Sequence, residues 1–334
     1  MKNIPSHIIS YKYNKEKIIN FFSIHKQIII PILFILIYVL FYFLIDISSQ
    51  SLTAHDEGLY ARRSRLIEDS SNWFSSPFPS PHHKTLGSYW FIALSISLFG
   101  NNELALRLPS ILASFVCLFI SYLIALKVSN RKVALISLFS LSSMPLWIQY
   151  SRYASPDILF VLCILLVILF FLKFIGETTD INKYFHIFIS GLFISIAFFI
   201  RSYMIFVPLI SLTPFFLFHL SRSNNKFITT FLSGIFLGAI PTILNFYFSY
   251  EKFGIKGITS LFGFAKKQAI GGFDFSNLLI TPLNFLYLTF PIGIIFIILF
   301  IFTSSNNKIN YPLLTICYPL LSLLILLFMS TSYP

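Results

Sequence analysis

The sequence predicts an all-α protein that crosses a membrane several times, and three observations carry that prediction. Of its 334 residues, 56% are hydrophobic and only 11% charged, against about 25% charged in a soluble domain. The apolar residues also come in blocks of roughly 17–25, the length a helix needs to cross a bilayer. Finally, the polar–apolar alternation in segments of about ten residues that marks a membrane β-barrel is absent.

Nine blocks read as spans: residues 27–45, 108–126, 133–150, 158–174, 184–200, 203–220, 227–248, 278–302 and 311–329. The first is too long for the apolar stretch of a signal peptide and lacks a small-residue cleavage site, so it reads as a retained span. Residues 1–26 form a basic tail, and residues 27–334 form one membrane domain whose first long loop is 46–107. Within that loop, residues 87–100 are apolar but too short to span, which predicts a re-entrant or interfacial helix. Its Tyr89, Trp90 and Phe91 suit the aromatic belt of a membrane surface. Before the span at 158–174, Ser155 is placed to cap and Pro156 to occupy the first helical position. No soluble domain, repeat or low-complexity tract is visible.

Orientation follows from the basic residues. Lys2, Lys12, Lys15, Lys17 and Lys26 precede the first span, and Lys127, Arg131, Lys132, Lys173, Lys183, Arg222, Lys226 and Lys308 fall in alternate short loops. The positive-inside bias makes those segments and the amino terminus cytosolic. Nine of the twelve acids then lie on the outer side, so chemistry is expected at the outer, periplasmic face of the cell membrane. A net charge of +12 suggests nucleic acid at first sight. Charges that sit in loops between spans fit membrane lipids and an anionic lipid substrate better. Cys117, Cys163 and Cys317 each lie inside an apolar run and read as small core residues.

The residues able to do chemistry cluster after the first span, in "AHDEGLYARRSRLIEDSSNW". On a helix, Leu59, Tyr60, Leu66 and Ile67 share an apolar face, with Asp56 near its middle and Arg63 on the same side; Glu57 points about a quarter turn away. An acid on a packed face is paired or used. It could equally start the helix behind a Thr53 cap. Asp157, in "YSRYASPDILF", is an acid at the outer end of a span, favoured there by the helix dipole or projecting into the same space as Asp56. "SPHHKTLGSYW" offers Lys84 for a phosphate and His83 as a ligand for a divalent cation, the one cofactor left open; a plain polar loop is the alternative. Arg201 interrupts an apolar stretch between two spans, either snorkelling in the turn or holding a phosphate. Lys266 and Lys267 lie in the second long outer loop, as solvated charge or as further phosphate contacts.

Asp56-Glu57 after the first span, "HHKTLGSYWFIALSISLFG", "ELALRLPSILAS" and "RYASPDILF", in this order, resemble the GT-C membrane glycosyltransferases. The branch they resemble contains lipid A aminoarabinose transferases and protein O-mannosyltransferases. The resemblance covers about residues 53–174, and beyond them Arg201, where the family often has Lys. It implies transfer of a sugar from a polyprenyl-phosphate donor to a lipid, glycan or protein acceptor on the outer face. It also implies catalytic roles for Asp56, Glu57 and Asp157, Asp56 being the base, and donor-phosphate contacts from Lys84, with Arg63, Arg201, Lys266 and Lys267 as further cations. Two departures stand out: the family's Glu-Lys-Pro is His83-Lys84-Thr85 here, and relatives continue beyond the length of this chain. Independently of the resemblance, a polyprenyl phosphate is a good leaving group, so cations for the phosphate and one carboxylate for the acceptor proton suffice. A transporter or flippase of a lipid-linked saccharide is the rival, and it would place polar groups near the bilayer midplane. A non-catalytic partner subunit is the third reading.

Overall fold

A computed structural model describes residues 29–38, 51–52, 56–70, 72–74 and 77–270, together with 283, 314–315 and 318–322. Every regular element among them is helical. In chain order they are α1 (Ile29–Tyr38), α2 (Asp56–Ser70), α3 (Gly87–Phe99), α4 (Glu103–Val128), α5 (Arg131–Ser143), α6 (Pro145–Ser151), α7 (Asp157–Gly176), α8 (Asp180–Arg201), α9 (Phe206–Leu220), α10 (Asn225–Gly238), α11 (Ile240–Phe253) and α12 (Ile255–Ile270). Among the described residues, four stretches are long and apolar enough to cross a membrane: Glu103–Val128, Asp157–Gly176, Asp180–Leu220 and Asn225–Phe253. The α5–α6 pair makes a fifth if taken as one bent span. The spans expected at 278–302 and 311–329 lie outside the described residues or almost so, and the first is described only over α1.

Local chemistry sets the boundaries. Asn102 caps α4 by accepting from the Ala105 N–H at 2.8 Å, and Asn130 caps α5 in the same way from Val133. The single span expected at 133–150 is bent by 66° between α5 and α6. Pro145 lacks the N–H that would continue α5, and it forces Met144 into the extended region, at φ −68° and ψ 128°. Ser155 does not cap α7; its hydroxyl has no hydrogen-bond partner among the described residues, and α7 opens from Pro156.

The stretch Asp180–Leu220 is a hairpin. Ser202 adopts φ +51°, which no α-helix can pass through, and a 3-10 turn, Ser202–Ile205, follows it. The packing of α8 on α10 supports the same conclusion. A Cβ at Gly191 or Gly234 would run into the carbonyl oxygens of Phe231 and Phe188, and one at Gly238 would lie 2.6 Å from that of Leu192. The two helices therefore run side by side and parallel, so the intervening α9 has to bring the chain back. Phe216 of α9 accordingly packs against Phe171 of α7, the ring centres 4.4 Å apart and the rings tilted by 46°. Glycine permits this close approach where apolar surface alone gives no preference between helices in a membrane.

These connections sort the charged residues to two ends. Lys127 packs beside Gly176, and Glu177 faces His186, at one end of the bundle. Residues 57, 107, 154, 157, 201 and 202 gather at the other, where α3 and a small core of Tyr60, Phe78, Tyr89, Ile92, Leu106 and Phe199 sit. α3 is a 13-residue helix, as expected; its Phe91, Leu94 and Leu98 are exposed while Tyr89, Ile92 and Ile96 are buried, as suits an element lying along a surface.

Candidate functional site

The motif-bearing end is assembled around a buried ion pair. Glu57 is fully buried; its Oε1 accepts from Arg107 Nε at 3.0 Å and its Oε2 from Nη2 at 2.9 Å. The same Oε1 accepts the Ala154 N–H at 2.9 Å, and Arg107 also donates to the Ser51 carbonyl at 3.2 Å. One carboxylate thus fastens α2 to α4 and to the loop ahead of α7. This turns α2 away from the expected register: its buried face runs through Glu57, Tyr60, Ala61, Ser64 and Ile67, so Glu57 lies at the packed face instead of a quarter turn off it. An acid with a bidentate arginine partner is stable where apolar pattern alone would not place it.

Six residues further along α2, Arg63 donates through Nη1 to His82 Nε2 at 2.9 Å and to the Tyr89 hydroxyl at 3.3 Å. The Tyr89 hydroxyl is itself 3.0 Å from His82 Nε2. Phe78 lies under this group, its ring centre 5.3 Å from the Arg63 guanidinium carbon. Tyr60 stacks on Tyr89 at 5.1 Å, and its hydroxyl accepts from Lys84 Nζ at 3.0 Å. Two cations, Arg63 and Lys84, are therefore held on either side of an aromatic pair. Burial first, and then Arg63, His83 and Lys84, lower the His82 pKa from 6.5 to about 2. Burial, Lys84 and Arg63 hold that of His83 at about 4.

The loop carrying these groups is keyed onto α8. The Thr85 N–H donates to Ser202 Oγ at 3.1 Å, the two hydroxyls lie 2.9 Å apart, and Thr85 Oγ1 donates to the Phe198 carbonyl. Gly87 lies so close to Phe199 that a Cβ would clash with its carbonyl. Lys84 and Arg201 each sit one residue from this contact. Arg201 forms an ion pair with Asp157, about a quarter of each side chain remaining exposed.

Of the residues singled out in the sequence, the fold brings together Arg63 and Lys84, and it pairs Asp157 with Arg201. Glu57 is engaged by Arg107. The helix bearing Asp56 starts at that residue, while the Asp56 carboxylate and the side chains of Lys266 and Lys267 lie outside the described set, as does Thr53. Among the described residues no group of three His, Cys, Asp or Glu side chains could hold a metal. His83 stands beside two cations, which oppose a divalent ion there. The sequence points to no site role for Arg107 or Ser202; Tyr60 reads there as a packing residue, His82 as an alternative to His83 for a cation, and Tyr89, expected in the aromatic belt, is instead fully buried. Arg107 could have been found as a charge in the first turns of an otherwise apolar span, where a buried partner is needed; the two tyrosines and Ser202 carry no such signal.

Fold and site together define a polytopic helical membrane protein. Residues 83–247 match the family model of the dolichyl-phosphate-mannose-protein mannosyltransferases. The undecaprenyl phosphate-alpha-4-amino-4-deoxy-L-arabinose arabinosyl transferase of Shewanella sediminis is 28% identical over 137 residues, covering 40% of this chain and 24% of that protein. Its counterpart 1 in Pseudomonas fluorescens is 30% identical over 126 residues, covering 37% and 22%. The crystal structure of ArnT from Cupriavidus metallidurans bound to undecaprenyl phosphate superposes with a TM-score of 0.77 at 16% identity, over 93% of this chain and 57% of that one. The resemblance to GT-C membrane glycosyltransferases of the aminoarabinose-transferase-like branch is thus borne out. The matches span about a quarter of the curated relatives' length and a little over half of the ArnT chain.

Proposed function

We propose that the protein is an integral-membrane glycosyltransferase that moves a sugar from a polyprenyl-phosphate donor to a lipid, glycan or protein acceptor at the outer face of the membrane. The observation that carries this reading is the pairing of Arg63 and Lys84 around Tyr60 and Tyr89, on and beside the helix that begins at Asp56. In the reaction, an acceptor hydroxyl oxygen attacks the anomeric carbon of the donor sugar and forms the new glycosidic bond. The bond between that carbon and the phosphate oxygen breaks, and the electron pair leaves with the polyprenyl phosphate, which gains a negative charge. Arg63 and Lys84 stabilise that charge through charge-assisted hydrogen bonds, and the Asp56 carboxylate takes the acceptor proton. Arg201, kept in place by Asp157, borders the phosphate, and Lys266 and Lys267 serve as further cations for it. Glu57 serves as a positioning residue: with both oxygens bound to Arg107, it fixes the start of α2 and hence Asp56.

The test is an assay of the purified protein in lipid nanodiscs with a polyprenyl-phosphate sugar, following released polyprenyl phosphate and the glycosylated acceptor. Turnover should fall by about 10²–10⁴-fold in Asp56→Asn with donor binding retained. Passage of the intact lipid-linked saccharide across vesicles without bond cleavage would instead identify a flippase. Full turnover in Asp56→Asn would remove the base from this scheme.

A further inference from the structure

Arg63 differs from the other arginines of the site in what holds it. Arg107 is matched by Glu57 and Arg201 by Asp157, whereas the partners of Arg63 among the described residues are His82, Tyr89 and the Phe78 ring. An arginine only donates, so His82 Nε2 has to be the accepting, unprotonated nitrogen, and the ring is the neutral tautomer with its proton on Nδ1. A carboxylate in this position would grip Arg63 more tightly but would cancel its charge. A neutral imidazole orients the guanidinium and leaves the positive charge uncompensated for an incoming anion.

His82 is also a junction. Its backbone carbonyl accepts from Ser260 Oγ of α12 at 3.1 Å, and its ring meets Phe78 edge-on at 5.2 Å. It therefore joins α2, α3 through Tyr89, and α12, and it is only 7% exposed. Such a site is costly for a polar ring unless its bonds are used. The low proton affinity conferred by burial and by the neighbouring cations agrees with a ring that stays neutral.

We propose that His82 is a positioning residue for the donor phosphate: as a neutral hydrogen-bond acceptor it aims Arg63 at the phosphate without discharging it. This rests on the glycosyltransferase reading of the same site.

The experiment measures binding of undecaprenyl phosphate to the full chain in nanodiscs, for the parent and for His82→Gln, His82→Ala, His82→Glu and Tyr89→Phe. Gln can accept through its carbonyl oxygen and is neutral, so its Kd should stay within about threefold of the parent. Ala releases Arg63 and should raise Kd about tenfold. Glu should hold Arg63 yet weaken binding as much as Ala or more, because the pair is discharged. Tyr89→Phe, which keeps the ring, should fall between parent and Ala. A His82→Glu protein that binds like the parent overturns the proposal, and so does a Gln variant as weak as Ala. If the Glu variant does not fold, the Gln and Ala pair still decides between the two outcomes. A parent that binds no polyprenyl phosphate would overturn the donor assignment and this inference together; a binding parent with a flat His82 series would overturn this inference alone.

Discussion

Arg107 donates two hydrogen bonds to the Glu57 carboxylate, while Arg63, six residues further along α2, donates to an imidazole. The first arrangement is architectural. Removing one partner of a buried ion pair strands the other, at a cost of about 3–5 kcal/mol. Arg107→Leu should therefore lower the melting temperature sharply, and Glu57→Leu on top of it should restore much of the loss. Glu57→Gln should reduce stability and, by loosening the start of α2 that carries Asp56, lower turnover of the folded protein by less than Asp56→Asn does; a folded Glu57→Gln as inactive as Asp56→Asn would make Glu57 catalytic after all. His82 supplies a pH prediction of definite sign. Its pKa is about 2 in the folded protein against 6.5 ordinarily, so in that interval the unfolded chain binds the proton and the folded chain does not. Stability therefore rises with pH there. The penalty is absent above about 6.5 and grows as the pH falls below it. Melting temperature should drop on acidification from that point, and His82→Gln should show a shallower slope than the parent over the same range.

At the scale of elements, the close approach of α8 and α10 depends on three glycines. Substituting Gly191 or Gly234 by Ala places a methyl group against a carbonyl of the facing helix, with no flexible side chain to give way. Either substitution should push the helices apart and lower the yield of folded protein, with overpacking costs on the order of 1–3 kcal/mol. Gly263→Ala in α12 meets nothing within 4 Å and should be neutral or slightly stabilising, since Ala is the better helix former. Equal loss from Gly263→Ala would show that the α8–α10 contact is not what the glycines serve. The bend between α5 and α6 was legible in principle, because Pro145 is in the sequence, but a run of apolar residues hides it when spans are counted by hydropathy. The α8–α9 hairpin is visible in the sequence, where Arg201 separates two apolar runs.

At the scale of the whole molecule, the connections between helices put residues 127–131, 173–186 and 220–226 at one end and the candidate site at the other. Single-cysteine labelling checks this, after Cys117, Cys163 and Cys317 are replaced. An impermeant reagent should modify cysteines at 131, 183 and 222 as one group, and those at 80, 152 and 254 as another, from opposite sides of a sealed vesicle. With the positive-inside bias, the first group is expected to be cytosolic. A mixed pattern within either group would contradict the order of the helices.

Composition and the length of the apolar blocks were enough to define a polytopic α-helical protein, because the bilayer imposes one length scale on every span. Four short motifs were enough to show the resemblance to the GT-C membrane glycosyltransferases. Which residues meet there was decided by tertiary structure. The periodicity of α2 placed Glu57 off the packed face, and the partner that put it on that face, Arg107, is fifty residues away in sequence. Likewise, the neutral setting of Arg63 needs His82, Tyr89 and Phe78 from two other segments. Hydropathy reports how a residue partitions between water and lipid, whereas a hydrogen bond or a discharged cation depends on which side chain lies within about 3 Å, and only the packed chain settles that.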